Sequence, residues 1–143
     1  MSAQKLKKKK ILVIHTAFIG DVILMTAFLK KLKLILPESD IDVVVVPIAA
    51  GILKNNPNIR DIIQFNKKDN KILTLLKIIS RIKEQSYDLA YLLHSSLTSA
   101  LLAYFGGVKH RIGFNRGIAR YWLTKRVIFR KNTLRLWKNL DLL

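Results

Sequence analysis

Strands and helices alternate along this chain as in a doubly wound, Rossmann-like α/β fold with a mostly parallel sheet, and three observations predict it. Short runs of consecutive apolar residues recur at 11–14, 43–46 and 89–93, as strands buried on both faces require. Between them lie segments whose apolar residues return every three or four positions, the period of a helix with one buried side. Gly, Pro and Asn separate the two kinds of segment. Such alternation favours parallel strands joined by right-handed crossovers, with helices over both faces.

The first strand, 11–14, leads to a turn at Gly20, where the backbone bends freely, and a helix is expected from there. Leu24, Phe28, Leu32 and Ile35 share one helical face, and Lys30, Lys31 and Lys33 load the last turns, where the helix dipole favours cations. Asp21 falls at or near the N-cap. Two roles are open to it: an ordinary capping carboxylate, or a carboxylate presented at the C-terminal edge of a parallel sheet, where open α/β folds bind ligands.

Leu36, Pro37 and the polar 38–40 make the turn into a second strand, 43–46, which Pro47 ends. Residues 48–53 read as a short helix or turn, 55–58 as a loop, and 61–65 as a third strand; 66–70 break the chain again. Leu73, Leu76, Ile79 and Ile82 mark an amphipathic helix ending near Glu84, and 89–93 supply a fourth strand. Ser95 and Ser96 are candidate caps for a helix through Leu97, Leu101 and Tyr104, which Gly106 and Gly107 terminate. A short strand is expected at 109–112. From Gly113 the regularity fades, with a last strand at 127–129 and a final helix from about Thr133.

At 143 residues with half of them hydrophobic, the chain is expected to form one domain, 1–143, with a real core. The absence of cysteine excludes disulfides and thiolate metal sites and suits a reducing cytoplasm. His15, His94 and His110 form no ligand spacing, so no metal is implied. The basic N-terminus lacks the apolar stretch of a secretory signal. Residues 89–108 carry no formal charge, yet His94, Ser95, Ser96, Thr98, Ser99, Gly106 and Gly107 interrupt them, which suits a buried strand and helix better than a membrane span.

The net charge of +17 is unevenly spread: residues 101–143 carry 10 Lys and Arg against 1 acidic residue, whereas 1–100 carry 16 against 8. Such a surface attracts nucleic acid, anionic lipid or a phosphorylated substrate without choosing among them. A general lysine-rich bias accounts for part of it, since Ile, Asn and Lys are abundant throughout.

Three segments could carry chemistry. The turn 18–21 holds Asp21 but lacks the spaced glycines of a dinucleotide site and the Gly-Lys-Thr of a P-loop. His94 ends the fourth strand; if the first and fourth strands end at one crevice, His94 approaches Asp21, and otherwise it serves the core or a cap. No nucleophile elbow accompanies it. The third segment is the basic run Lys109, Arg111, Arg116, Arg120, Lys125, Arg126, Arg130 and Lys131, interleaved with Phe114, Tyr121 and Trp122. It is either a site for phosphates, carboxylates or bases, or a solvated face whose aromatics pack inward.

Taken in order, ILVIHTAFIGDVILMTAFL, DIDVVVVPIAAGILKNNPNIRDIIQF, YDLAYLLHSSLTSALLAYFGGVKHRIGFNR and YWLTKRVIFRKNTLRLWKNLDLL resemble the N-terminal domain of the ADP-heptose-dependent lipopolysaccharide heptosyltransferases, inverting glycosyltransferases of the two-domain GT-B fold. The resemblance implies that Asp21 is the catalytic base for transfer of heptose from ADP-heptose to the lipopolysaccharide inner core. It implies acceptor contacts from Thr16, Gly20, His94, Arg111, Arg116 and Arg120, a cytoplasmic location, peripheral attachment to the anionic inner face of the membrane, and no specific nucleic acid. No cofactor or metal is implied; the sugar nucleotide is a substrate. The family's C-terminal donor-binding domain has no counterpart among these residues, so a fragment, a truncated gene product or one partner of a split enzyme with a separate donor-domain chain, weak or inactive alone, is expected. The alternative is a non-catalytic basic module that binds anionic membrane or nucleic acid through residues 109–131.

Overall fold

The computed structural model describes residues 8–16, 19–66, 68–94, 96–127 and 142–143, with backbone only at 19–22. Six strands, β1 (Lys10–His15), β2 (Asp40–Val45), β3 (Asp61–Gln64), β4 (Leu89–Leu92), β5 (His110–Phe114) and β6 (Lys125–Val127), form one sheet in the order β3-β2-β1-β4-β5-β6. Every pairing is parallel. The chain moves outward from β1 to β3, returns to lay β4 against the other side of β1, and continues outward again. This is the doubly wound arrangement that the alternation of periods predicts, and its winding reverses between β1 and β4.

The strands form where they do because both faces are covered. Ile11, Val13, Val43 and Val45 point toward α1 (Ile19–Ile35) and α2 (Pro47–Leu53), packing with Met25, Phe28, Leu29, Leu32, Ala49 and Leu53. Leu12, Ile14 and Val44 point the other way, toward α3 (Lys71–Gln85) and α4 (Leu97–Phe105), meeting Ile78, Ile82, Ala100, Leu102 and Ala103. Leu142 is buried on the first face. At the α3–α4 contact a Cβ on Gly106 would collide with Ile82 and with the Leu102 carbonyl, so only glycine lets the end of α4 approach α3.

Four boundaries differ from the sequence reading. Pro47 does not merely end β2 but opens α2, where its missing N–H costs nothing. β2 begins at Asp40 rather than at 43, because Asp42, although only 1% exposed, has partners in Arg60 and Tyr87 that make a buried carboxylate tolerable inside a strand. β5 runs to Phe114, and a 3-10 helix (Ile118–Trp122) makes the crossover to β6 in the region read as irregular. β6 occupies 125–127; the expected continuation to 129 and the helix from about Thr133 lie outside the described residues.

Candidate functional site

The reversal of winding sends α1 to one face of the sheet and α4 to the other. A crevice is therefore left beyond the carboxyl ends of β1 and β4, the usual ligand position in such folds. Pairing of the two strands continues past β4 through the Leu93 N–H, which donates to the Ile14 carbonyl at 3.1 Å. This brings His15, the last residue of β1, beside His94, with ring centroids 5.9 Å apart and planes 27° apart. His15 is fully buried and His94 half-buried. The first and fourth strands therefore end at one crevice, which is the condition on which His94 is brought to it.

A short polar chain starts at Thr16, the residue after His15. Thr16, 2% exposed, places its Oγ1 3.3 Å from Ser99 Oγ, and Ser96 Oγ lies 2.9 Å from the same atom. Ser96 caps α4 by accepting from the Ser99 N–H at 3.1 Å, which satisfies one of the orphan donors of the first turn. Two helix N-termini, those of α1 and α4, thus open at the crevice, and both favour negative charge there.

Gly20 and Asp21 lie in the first turn of α1, two residues inside its start in the case of Asp21, rather than ahead of the helix.

The three arginines divide. Arg116 follows β5 and is exposed at the carboxyl edge of the sheet. Arg120 lies in the 3-10 crossover, with its guanidinium over the Tyr121 ring at 4.9 Å and donating to the Tyr121 hydroxyl at 2.9 Å, which lowers that phenol below its ordinary pKa. Arg111 is paired through Ala90 to Leu12, well short of the carboxyl edge. Its Nε donates to the Trp122 carbonyl at 2.6 Å, its Nη1 to the Val108 carbonyl at 2.7 Å, and its guanidinium lies 5.1 Å from the Tyr104 ring centre. Arg111 ties the 3-10 crossover to β5 and α4, and the structure does not bring it to the crevice. Thr16 and His94 are brought together there, with the start of α1.

Sequence reasoning passed over His15, Ser96 as part of a polar chain, and Ser99. A signal for His15 existed: both His15 and His94 stand immediately beyond a run of apolar strand residues. Among the described residues no group of three His, Asp or Glu side chains is placed to hold a metal, and no helix is long and apolar enough to cross a membrane.

Comparison with known proteins agrees with this architecture. Residues 75–143 match the model of glycosyltransferase family 9 (heptosyltransferase). Lipopolysaccharide heptosyltransferase 2 of Escherichia coli K12 is 32% identical over 116 residues, 80% of this chain and 33% of its own length. The chain spans about a third of the length of the curated relatives it matches. Among solved structures, a glycosyl transferase of family 9 from Veillonella parvula superposes with a TM-score of 0.85 at 27% identity, over 94% of this chain and 40% of that one. The E. coli ADP-heptose lipopolysaccharide heptosyltransferase II gives 0.81 at 29% identity, over 93% and 39%.

Proposed function

We propose that this chain, a relative of the family 9 heptosyltransferases, is the acceptor-side half of an inverting glycosyltransferase that moves heptose from ADP-heptose to the lipopolysaccharide inner core. The observation that carries this reading is the convergence, at the β1–β4 reversal, of the helix turn bearing Asp21 with His15, Thr16 and His94. A carboxylate suits the task. Ionised at the start, it accepts the proton of an acceptor hydroxyl while that oxygen bonds to the anomeric carbon and the bond to the diphosphate breaks, ADP leaving with the electron pair. The helix dipole keeps Asp21 ionised until then. The N-termini of α1 and α4 and the exposed Arg116 suit an acceptor bearing phosphate or carboxylate groups.

Because the chain spans about a third of its relatives' length, transfer is expected to need a donor-binding domain in addition to these residues. The reading invokes no metal or cofactor. The basic-module alternative is not favoured: Arg111, the second residue of the basic run, has its Nε and Nη1 engaged within the fold.

The test is Asp21→Asn in this chain combined with the donor-binding domain of a family 9 relative, with transfer from ADP-heptose to inner-core acceptor measured. Loss of general-base catalysis predicts a fall in turnover of about 10³-fold. Turnover within a factor of two or three of the unaltered pair would overturn the assignment.

A further inference from the structure

Helix α3 turns an apolar surface to solvent where a surface helix is ordinarily polar. Its inward residues, Ile78 and Ile82, are buried against the sheet. On its outward side Ile72, Leu73 and Leu76 are 70%, 55% and 56% exposed, and beyond these two turns the outward residues become Ser80, Lys83 and Glu84. The cluster is held in place: the Asn70 side chain caps the helix, accepting from the Ile72 and Leu73 N–H groups at 3.1 and 3.2 Å. Lys68, Lys71 and Lys77 stand exposed around it, with Asp69 the one carboxylate in that turn.

From this pattern we infer that the N-terminal half of α3 docks on the headgroup region of an anionic bilayer. Branched aliphatic residues ringed by lysines are the composition of a helix that lies in a membrane interface, apolar side chains below the headgroups and ammonium groups among the phosphates. A covering protein domain fits less well, since protein interfaces are depleted in lysine. Three aliphatic side chains are too few for permanent attachment, so docking is reversible and needs the lysines as its second signal. The placement is useful. α3 begins at the carboxyl edge of the sheet, and β3, which leads into it, stands two strand spacings, about 10 Å, from β1 and the crevice. A lipid-linked acceptor would then meet the site from the surface on which the protein rests. Docking uses α3 and its lysines alone, and so survives a failure of the Asp21 chemistry.

The experiment is co-sedimentation of the full chain with vesicles of phosphatidylethanolamine containing a minor share of phosphatidylglycerol, against vesicles of phosphatidylcholine alone. Binding is expected only to the anionic vesicles and weakens as salt rises. The Leu73→Ser, Leu76→Ser pair should lower the partition coefficient about tenfold or more, and Lys71→Gln, Lys77→Gln about fivefold per lysine. Asp21→Asn should leave it unchanged. Circular dichroism checks that the variants, all at exposed positions, stay folded. Equal binding by the Leu73→Ser, Leu76→Ser variant would mean that net charge alone attracts lipid, and overturns the inference. So would no binding by the unaltered chain, or self-association that the same two substitutions abolish without any vesicle binding, which would make the patch a contact between copies.

Discussion

The two ends of the sheet treat buried polar groups differently. At the amino end Asp42 is saturated by protein: Arg60 donates from Nε at 3.0 Å and from Nη2 at 2.6 Å, and the Tyr87 hydroxyl donates to the same carboxylate. Asp40 takes a further donor from Arg60 at 3.2 Å and an ion pair from Lys8 at 3.1 Å. Lys10 closes the edge, its backbone N–H on Asp88 and its ammonium on the Gln85 carbonyl. Across the sheet, at the carboxyl end, stand two stacked histidines, a threonine and a pair of serines, at the mouths of two helices. A carboxylate closed by its own protein is built for stability. Donors and imidazoles gathered beside helix N-termini are suited to an incoming anion. The chain thus separates holding the fold from meeting a ligand by the length of a strand.

That separation can be broken from either end. The largest effect is expected at the carboxyl edge, where Asp21→Asn should cost about 10³-fold in turnover, equivalent to about 4 kcal/mol of barrier, while urea unfolding shows little change. The reverse pattern is expected from Asp42→Asn. Removing a buried charge from under Arg60 and Tyr87 should cost about 3 kcal/mol of stability by urea denaturation, at the low end for a buried pair because Arg60 keeps 35% of its side chain in water. If Asp42→Asn lowered turnover at a temperature where the chain stays folded, the two ends would not be independent.

A smaller effect follows at Tyr87. Burial, then its hydrogen bond to Asp42, raises the phenol above its ordinary value of 10.0, so the folded chain keeps a proton that the unfolded chain releases. The contribution is therefore complete below about pH 10 and is lost as pH rises beyond it. Tyr87→Phe should cost about 1 kcal/mol at neutral pH and flatten the alkaline limb of the stability curve; an alkaline limb as steep as before would remove Tyr87 from the account. The smallest effect is expected at the exposed Arg81–Asp61 pair, 2.5 Å apart with both side chains about half in water, where Arg81→Ala should change unfolding by no more than about 0.5 kcal/mol.

How far residues alone led can be judged at particular positions. Residues 11–14 and 43–46 announce buried strands because a strand covered on both faces needs no alternation, and Leu73, Leu76, Ile79 and Ile82 announce a helix because its period repeats locally, although the structure buries Ile78 and Ile82 and leaves Leu73 and Leu76 in solvent. Ser96 was legible as a cap for the same reason: capping is settled within four residues. Arg111 was misleading. Its position among basic residues suggests an anion site, whereas its donors end on the carbonyls of Val108 and Trp122, and the latter is brought near only by the β5–β6 crossover. Asp42 was passed over because its partners lie 18 and 45 positions away.

Sequence by itself determined the kinds of element, their order and their parallel sense, since each follows from periodicity and turn chemistry over a few neighbouring residues. Only the tertiary structure decided that β4 lies beside β1. That adjacency rests on packing summed over both faces of the sheet, and no local pattern encodes it. It sets His94 against His15, Thr16 against Ser99, and the first turn of α1 at the same crevice, so the candidate site exists only once the sheet has closed its order.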